Sequence, residues 1–233
     1  MVAGALAAPF VWSRVQAQAH DASLALVMAV DVSASIDTDH FWLQRKGYIE
    51  ALTNPDVLRA VADTETRRIA LTYFEWAGHD QQRLLLPWQL FSTLDDGEQI
   101  AALLNEVPRP FEGVTGLGAA IGFAHTLLSA CPYRTQARVI DVSGDGDSND
   151  GTPAGLARDA AVADGVTING LAIDWARSHP PIGMTIEEYY RREVQGGTRA
   201  FVMRADGFDT FGYALAAKLR MEVAGRHGRR SYG

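Results

Sequence analysis

From residue 24 to 32 the chain reads LALVMAVDV, an almost unbroken apolar run, rich in valine and leucine, with an acid near its end. Such a run fits a central strand covered on both faces, because only there do both sets of alternating side chains enter a core. Between 39 and 62 apolar residues return at helical intervals (Phe41, Tyr48, Ile49, Leu52), and Asp37 or Thr38 stands where a cap is needed. Segments 68–76 and 83–91 are β-branched or aromatic enough for strands, and Gly78-His79-Asp80 between them predicts a hairpin. Helices are expected at 96–107 and 117–128, parted by Pro108-Arg109-Pro110. The pattern then alternates: a buried strand at 138–142, a helix at 153–164 opened by a proline, a buried strand at 166–173, a helix at 186–194, a strand at 200–203 and a closing helix at 208–223. Consecutive parallel strands need a helix-length, right-handed connection. The expected fold is therefore α/β and doubly wound: a mostly parallel central sheet with one antiparallel edge strand and helices on both faces.

Composition narrows the function. With 47% hydrophobic and 21% charged residues the chain has the balance of a globular domain. Its formal net charge of -7 opposes a nucleic-acid role, which needs a basic face. No run of about 18 apolar residues predicts a membrane span. Residues 1–19 read as a leader: Val2 to Trp12 is apolar, and Ala17-Gln18-Ala19 offers small residues one apart, as a signal peptidase site requires. Arg14 and the lack of a positive start depart from that pattern. The leader predicts a periplasmic or secreted protein, with the folded domain at 20–224 and a flexible basic tail at 225–233 that carries Arg226, Arg229 and Arg230. Cys131 is the only cysteine, which excludes an internal disulfide, and the six histidines lack metal-ligand spacing.

In an open α/β sheet ligands bind beyond the carboxyl ends of the strands. Two of the loops there are polar in the same way. After the first strand, Asp31, Ser33 and Ser35 stand at alternate positions and can turn to one side as the strand runs out. After the fourth come Ser143-Gly144-Asp145-Gly146-Asp147, where glycines let the backbone turn tightly around an acid. Only oxygen donors are on offer, which suits Mg²⁺, Mn²⁺ or Ca²⁺. Two carboxylates balance one divalent ion, and hydroxyl ligands would leave it able to take a further acidic ligand.

Asp31-x-Ser33-x-Ser35 at the end of an apolar strand, the Gly113-Val114-Thr115-Gly116-Leu117 loop, and Asp145-Gly146 after another apolar strand resemble the three-part metal-ion-dependent adhesion site of von Willebrand factor A (VWA) domains, a Rossmann-type fold. The resemblance covers approximately residues 24–224. It implies that Ser33 and Ser35 bind the metal directly, that Thr115 does so directly or through water, and that Asp31 and Asp145 coordinate it or hold its waters. Mg²⁺ is the first expectation. The run from Arg138 to Gly146 also resembles a bacterial VWA-like group of unestablished function, DUF1194, which offers a fold and a site but no activity. Ser143-Gly144 stands where a threonine often precedes the acid, a departure that bears on the hydrogen bonding around Asp145.

Other constellations carry less. Asp147, Asn149 and Asp150 suggest a calcium loop, but Asp150 stands where glycine is needed and Leu156 where glutamate is needed, so they read as solvated loop residues. Gly113, Gly116, Gly118 and Gly122 do not follow the first strand and do not satisfy a dinucleotide fingerprint. Trp42, Trp76 and Trp88 read as packing residues. Trp175, at a strand end on the ligand side, is a candidate for lining the binding surface. No Ser-His or Cys-His pair stands out as a nucleophile with its base. The expectation is a non-enzymatic, exported module that presents a divalent cation to an Asp or Glu of a partner protein. Its rivals are a metal-assisted hydrolase and a scaffold with a vestigial site.

Overall fold

The first apolar run forms β1 (Ala22–Asp31), every residue of which is buried. The computed structural model describes residues 21–178, 180–181 and 183–224. The expected leader and the expected basic tail lie outside the described residues. Around β1 the chain lays β2 (Ile69–Trp76), β3 (Gln82–Phe91), β4 (Thr135–Gly144), β5 (Thr167–Asp174) and β6 (Val202–Asp206) in one sheet of order β3-β2-β1-β4-β5-β6. Only β3 runs antiparallel, at the edge and joined to β2 by the expected hairpin. The remaining pairs are parallel.

Helices cover both faces. Leu24, Leu26, Met28 and Val30 turn toward α1 (Thr38–Leu52), α2 (Pro55–Ala62), α3 (Leu94–Glu106) and α7 (Phe211–Ala224). Ala25, Val27 and Ala29 turn to the opposite face, where α4 (Leu117–Ser129), α5 (Ala154–Ala163) and α6 (Ile186–Tyr189) pack. The small set on β1 lets α4 lie close, helped by its own Ala120 and Ala124. Among the described residues no helix is long and apolar enough to cross a membrane.

The last strand and the closing helix begin two and three residues later than expected, and three further elements differ. The helical stretch expected at 39–62 is two helices, because Pro55 has no N–H to donate and disfavours a helical residue before it. Asn54 caps the second one, accepting from the Asp56 N–H at 2.8 Å. α3 starts at Leu94 rather than Asp96, because Thr93 and Asp96 form a reciprocal capping box. The helix expected at 186–194 is α-helical only to Tyr189, and Tyr190–Val194 is a π-helical turn.

The face under α1 and α7 also buries charge. Arg45 grips Glu75 with two hydrogen bonds of 2.8 and 2.9 Å and donates to the Leu104 and Val107 carbonyls. Lys218 of α7 pairs with Asp141 of β4 and with Glu222 at 2.6 Å, and Asn169 donates to Glu222 at 2.8 Å. Charges this deep are tolerated because each has its counterion; Arg45 and Glu75 are hydrogen-bonded as well, whereas Asp141 relies on its ion pair with Lys218.

Candidate metal centre

β1 leads by way of α1 and α2 to β2 on one side of it, while β4 lies on its other side, so the loops after β1 and β4 part at their carboxyl ends and leave a crevice. Asp31, the last residue of β1, is fully buried there. Its Oδ1 accepts the Ser33 N–H at 2.8 Å, which folds the loop back over the strand end. Ser33 Oγ lies 3.3 Å from Ser35 Oγ, and Ser35 Oγ donates to Asp145 Oδ1 at 2.7 Å. Asp145 Oδ2 accepts the Trp175 indole N–H at 2.7 Å. Four of the five residues picked from the sequence thus stand in one cluster. Thr115 is buried at 2% exposure on a loop tied to both neighbours. Ala34 N–H donates to Gly113 O at 2.8 Å, and Thr115 exchanges hydrogen bonds with Asn149 at 2.9 and 3.0 Å.

Burial, first, and the charge of Asp145, second, push the Asp31 carboxyl up to about 8, against the opposing pull of the hydrogen bonds from Ser33 and from the Asp145 backbone. Asp31 Oδ2 is buried without a hydrogen-bond partner. An unpartnered carboxylate oxygen beside a second carboxylate is the complement of a cation, so these residues fit a divalent ion. Among the described residues no three His, Cys, Asp or Glu side chains gather to hold a metal. A cation here would therefore rest on two carboxylates with hydroxyls and water, a donor set for hard ions.

Several residues around the site were not among the expected ones. Arg109, noted in the sequence only between two prolines, sends Nη2 to the carbonyls of Val32, Ser33 and Ile36 at 2.7, 2.9 and 2.8 Å, with its guanidinium 5.4 Å from the Phe41 ring centre. It clamps the loop that carries Ser33 and Ser35. Arg109→Met should lower stability by about 2 kcal/mol, because three carbonyls lose a charged donor, and denaturant unfolding reads this directly. A change under about 0.5 kcal/mol would mean that water replaces the guanidinium without loss. Trp175 has a more specific place than surface lining: its ring packs on His40 at 4.2 Å and Phe208 at 5.3 Å while its N–H holds Asp145. Asn149 and Asp150 are not merely solvated: Asn149 anchors the Thr115 loop, and Asp150 accepts from His79 N and Nδ1 at 2.7 and 2.8 Å. One cationic residue between prolines, and one indole at a strand end, were the only signals in the sequence for these roles.

This sheet order, with its single antiparallel edge strand, is that of a VWA-type domain. Solved structures agree on the fold. The VWA protein from Catenulispora acidiphila superposes with a TM-score of 0.60 at 16% identity, over 88% of this chain and 43% of that one. The pilus adhesin SpaC from Lactobacillus rhamnosus GG gives 0.62 at 14%, over 87% and 31%. Proximal thread matrix protein 1 of the mussel byssus, with a zinc-occupied MIDAS motif, gives 0.61 at 18%, over 88% and 48%. This chain thus spans less than half the length of each of the three. No curated protein matches the sequence. The chain belongs to the family described as protein of unknown function (DUF1194), whose model matches residues 21–227.

Proposed function

We propose that the protein is an exported, non-enzymatic binding module in which Asp31, Ser33, Ser35, Thr115 and Asp145 hold a divalent cation, Mg²⁺ first and Mn²⁺ or Ca²⁺ as alternatives, that takes a carboxylate from an Asp or Glu of a partner protein. The observation that carries this reading is the buried, unpartnered Asp31 Oδ2 beside Asp145 and two serine hydroxyls. The cation supplies an electrophilic position for the partner's carboxylate. Ser33 and Ser35 contribute neutral oxygens, Asp145 is held by Ser35 and Trp175, and Arg109 fixes the loop. The likeness to an adhesin and to a matrix protein with a metal-occupied site supports the reading.

A hydrolase would need an enclosed pocket over the ion. A cavity of about 230 Å³ is lined by Gln136, Arg138 and Thr198, and another of about 580 Å³ by Asp56, Arg59 and Met221. Neither includes a residue of the site. Burial pushes the Cys131 thiol up, away from the thiolate a nucleophile needs.

Thermal unfolding of the full chain in Mg²⁺, Mn²⁺, Ca²⁺ and chelator, beside Ser33→Ala/Ser35→Ala, tests the site. At ten times the dissociation constant the metal should add about 1.4 kcal/mol, or roughly 3 to 6 °C at this chain length, in the native protein only. The absence of any shift in the native protein would remove the mechanism and favour a vestigial site. Once a partner is in hand, its binding should fail in Thr115→Ala; binding that survives would sink the carboxylate mechanism.

A further inference from the structure

Tyr189, which ends α6, and Tyr190, which opens the π-helical turn, bring two neighbouring phenols to the site. Tyr189 Oη accepts the Ser148 N–H at 2.9 Å and so steadies the loop that follows Asp145. Tyr190 is fully buried and reaches further, into a slot between two strands. The slot exists because two residues have no side chain. On β5, a Cβ at Gly170 would stand 2.7 Å from Tyr190 Cδ1. On β4, a Cβ at Gly144 would collide with Tyr190 Oη and stand 2.7 Å from Asp31 Oδ2. Gly144 is extended strand backbone and has no positive φ, so space rather than a dihedral angle calls for glycine here.

The phenol oxygen and the outer oxygen of Asp31 therefore lean over the same glycine. One is a donor and the other an acceptor, and each is buried without a partner. Buried polar groups are rarely left unpaired, and a pair of complementary ones at close quarters points to a state in which they meet. The Tyr190 hydroxyl carries one hydrogen to donate. π-helical turns recur at functional sites because the extra residue re-aims a side chain that an α-helix would place elsewhere.

We propose that Tyr190 is a positioning residue of the metal centre: its hydroxyl fills the space left by the bare Gly144 and donates to the ionised Asp31 carboxylate when the cation is held, fixing which oxygen faces the ion. This rests on the metal reading above. Partners one shell out from a metal orient its ligands and tune their affinity.

The test is calorimetric titration of the full-length protein with Mg²⁺ and with Mn²⁺, alongside thermal unfolding in chelator, for the native protein, Tyr190→Phe, Gly144→Ser and the double variant. Tyr190→Phe keeps the ring in its slot and should weaken metal binding by about tenfold while the unfolding temperature in chelator stays level or rises. Gly144→Ser alone should lower that temperature through the clash with Tyr190. In the Tyr190→Phe background the clash with the phenol is relieved and part of the unfolding temperature should return, but the added Cβ still stands 2.7 Å from Asp31 Oδ2, so the affinity should stay low. Native-like affinity in Tyr190→Phe, with or without lost stability, would overturn the assignment and leave the site standing. Failure of the native protein to bind either ion would overturn the site and this inference with it.

Discussion

Lys218→Met should destabilise the protein by about 3 to 5 kcal/mol, the cost of removing one partner from a buried ionic cluster. Burial alone would lower the Lys218 ammonium, but Asp141 and Glu222 outweigh it and raise it above its ordinary value. Without that ammonium, two carboxylates face each other beneath α7 with no counterion, since both Asp141 and Glu222 are contacted by Lys218 at full burial. The loss should depend on pH. Burial, and then the charge of Asp141, lift Glu222 from 4.5 to about 7 even with Lys218 present. Its folded value lies above the unfolded one, so the folded protein carries the extra proton between the two, and the associated stability is lost as pH rises through about 7. The deficit of Lys218→Met is accordingly smaller at pH 5, where Glu222 is already neutral, than at pH 8. Combining the change with Asp141→Asn and Glu222→Leu should recover most of the loss, because a cluster replaced as a whole leaves no bare charge. Denaturant unfolding at the two pH values measures all of this. A Lys218→Met protein within about 1 kcal/mol of the native one would show that water or backbone groups carry the charge instead.

That cluster also marks a limit of what the sequence discloses. In α7 the inward stripe of Phe211, Leu215, Leu219 and Val223 is broken by Lys218 and Glu222, which also face the sheet. Read along the chain, a lysine and a glutamate four apart look like a solvent-facing ion pair. Only the meeting with Asp141, on a strand seventy-odd positions earlier, makes them internal, and nothing local encodes that meeting. The same holds for Arg109, whose three carbonyl partners lie 73 to 77 positions away. It holds too for Tyr190, whose inward turn depends on a π-helical widening that leaves no periodic trace.

What was legible is what period and position determine. The long apolar runs of β1 and β4, the hairpin at Gly78 and the helices between strands dictate a doubly wound sheet, and the ligand edge of such a sheet is known before its contacts are. Asp31, Ser33 and Ser35 could be picked because strand alternation turns them together, and Asp145 because it closes the other strand of the crevice. The hydrogen bonds from Ser35 to Asp145 and from Ser33 N to Asp31 bring these four residues together. The break before Pro55 was missed in the single helical stretch expected at 39–62, although the proline itself marks it. Thr115 came from the family resemblance, since no local rule brings a loop after two prolines to the end of β1.

Metal affinity should rise steeply with pH. Without a cation, burial and then Asp145 place the Asp31 carboxyl at about 8, above its unfolded 3.8. Asp31 thus stabilises the metal-free fold while protonated, and that contribution fades as pH climbs through about 8. A divalent ion needs the carboxylate, so binding below that value must expel the proton. One displaced proton makes the apparent dissociation constant roughly 50- to 100-fold weaker at pH 6 than at pH 8.5. Calorimetry in two buffers of different ionisation enthalpy should register about one proton released per ion at pH 6 and few at pH 9. Asp31→Asn separates the charge from the geometry: its Oδ1 can still accept from Ser33 N–H, and its amide can still meet Tyr190. The variant should lose the metal response yet unfold at a higher temperature than the native protein in chelator at pH 8.5, because an ionised carboxylate without a counterion has been taken out of the interior. An affinity that does not change with pH, or an Asp31→Asn protein that binds the ion as tightly as the native one, would place the cation elsewhere.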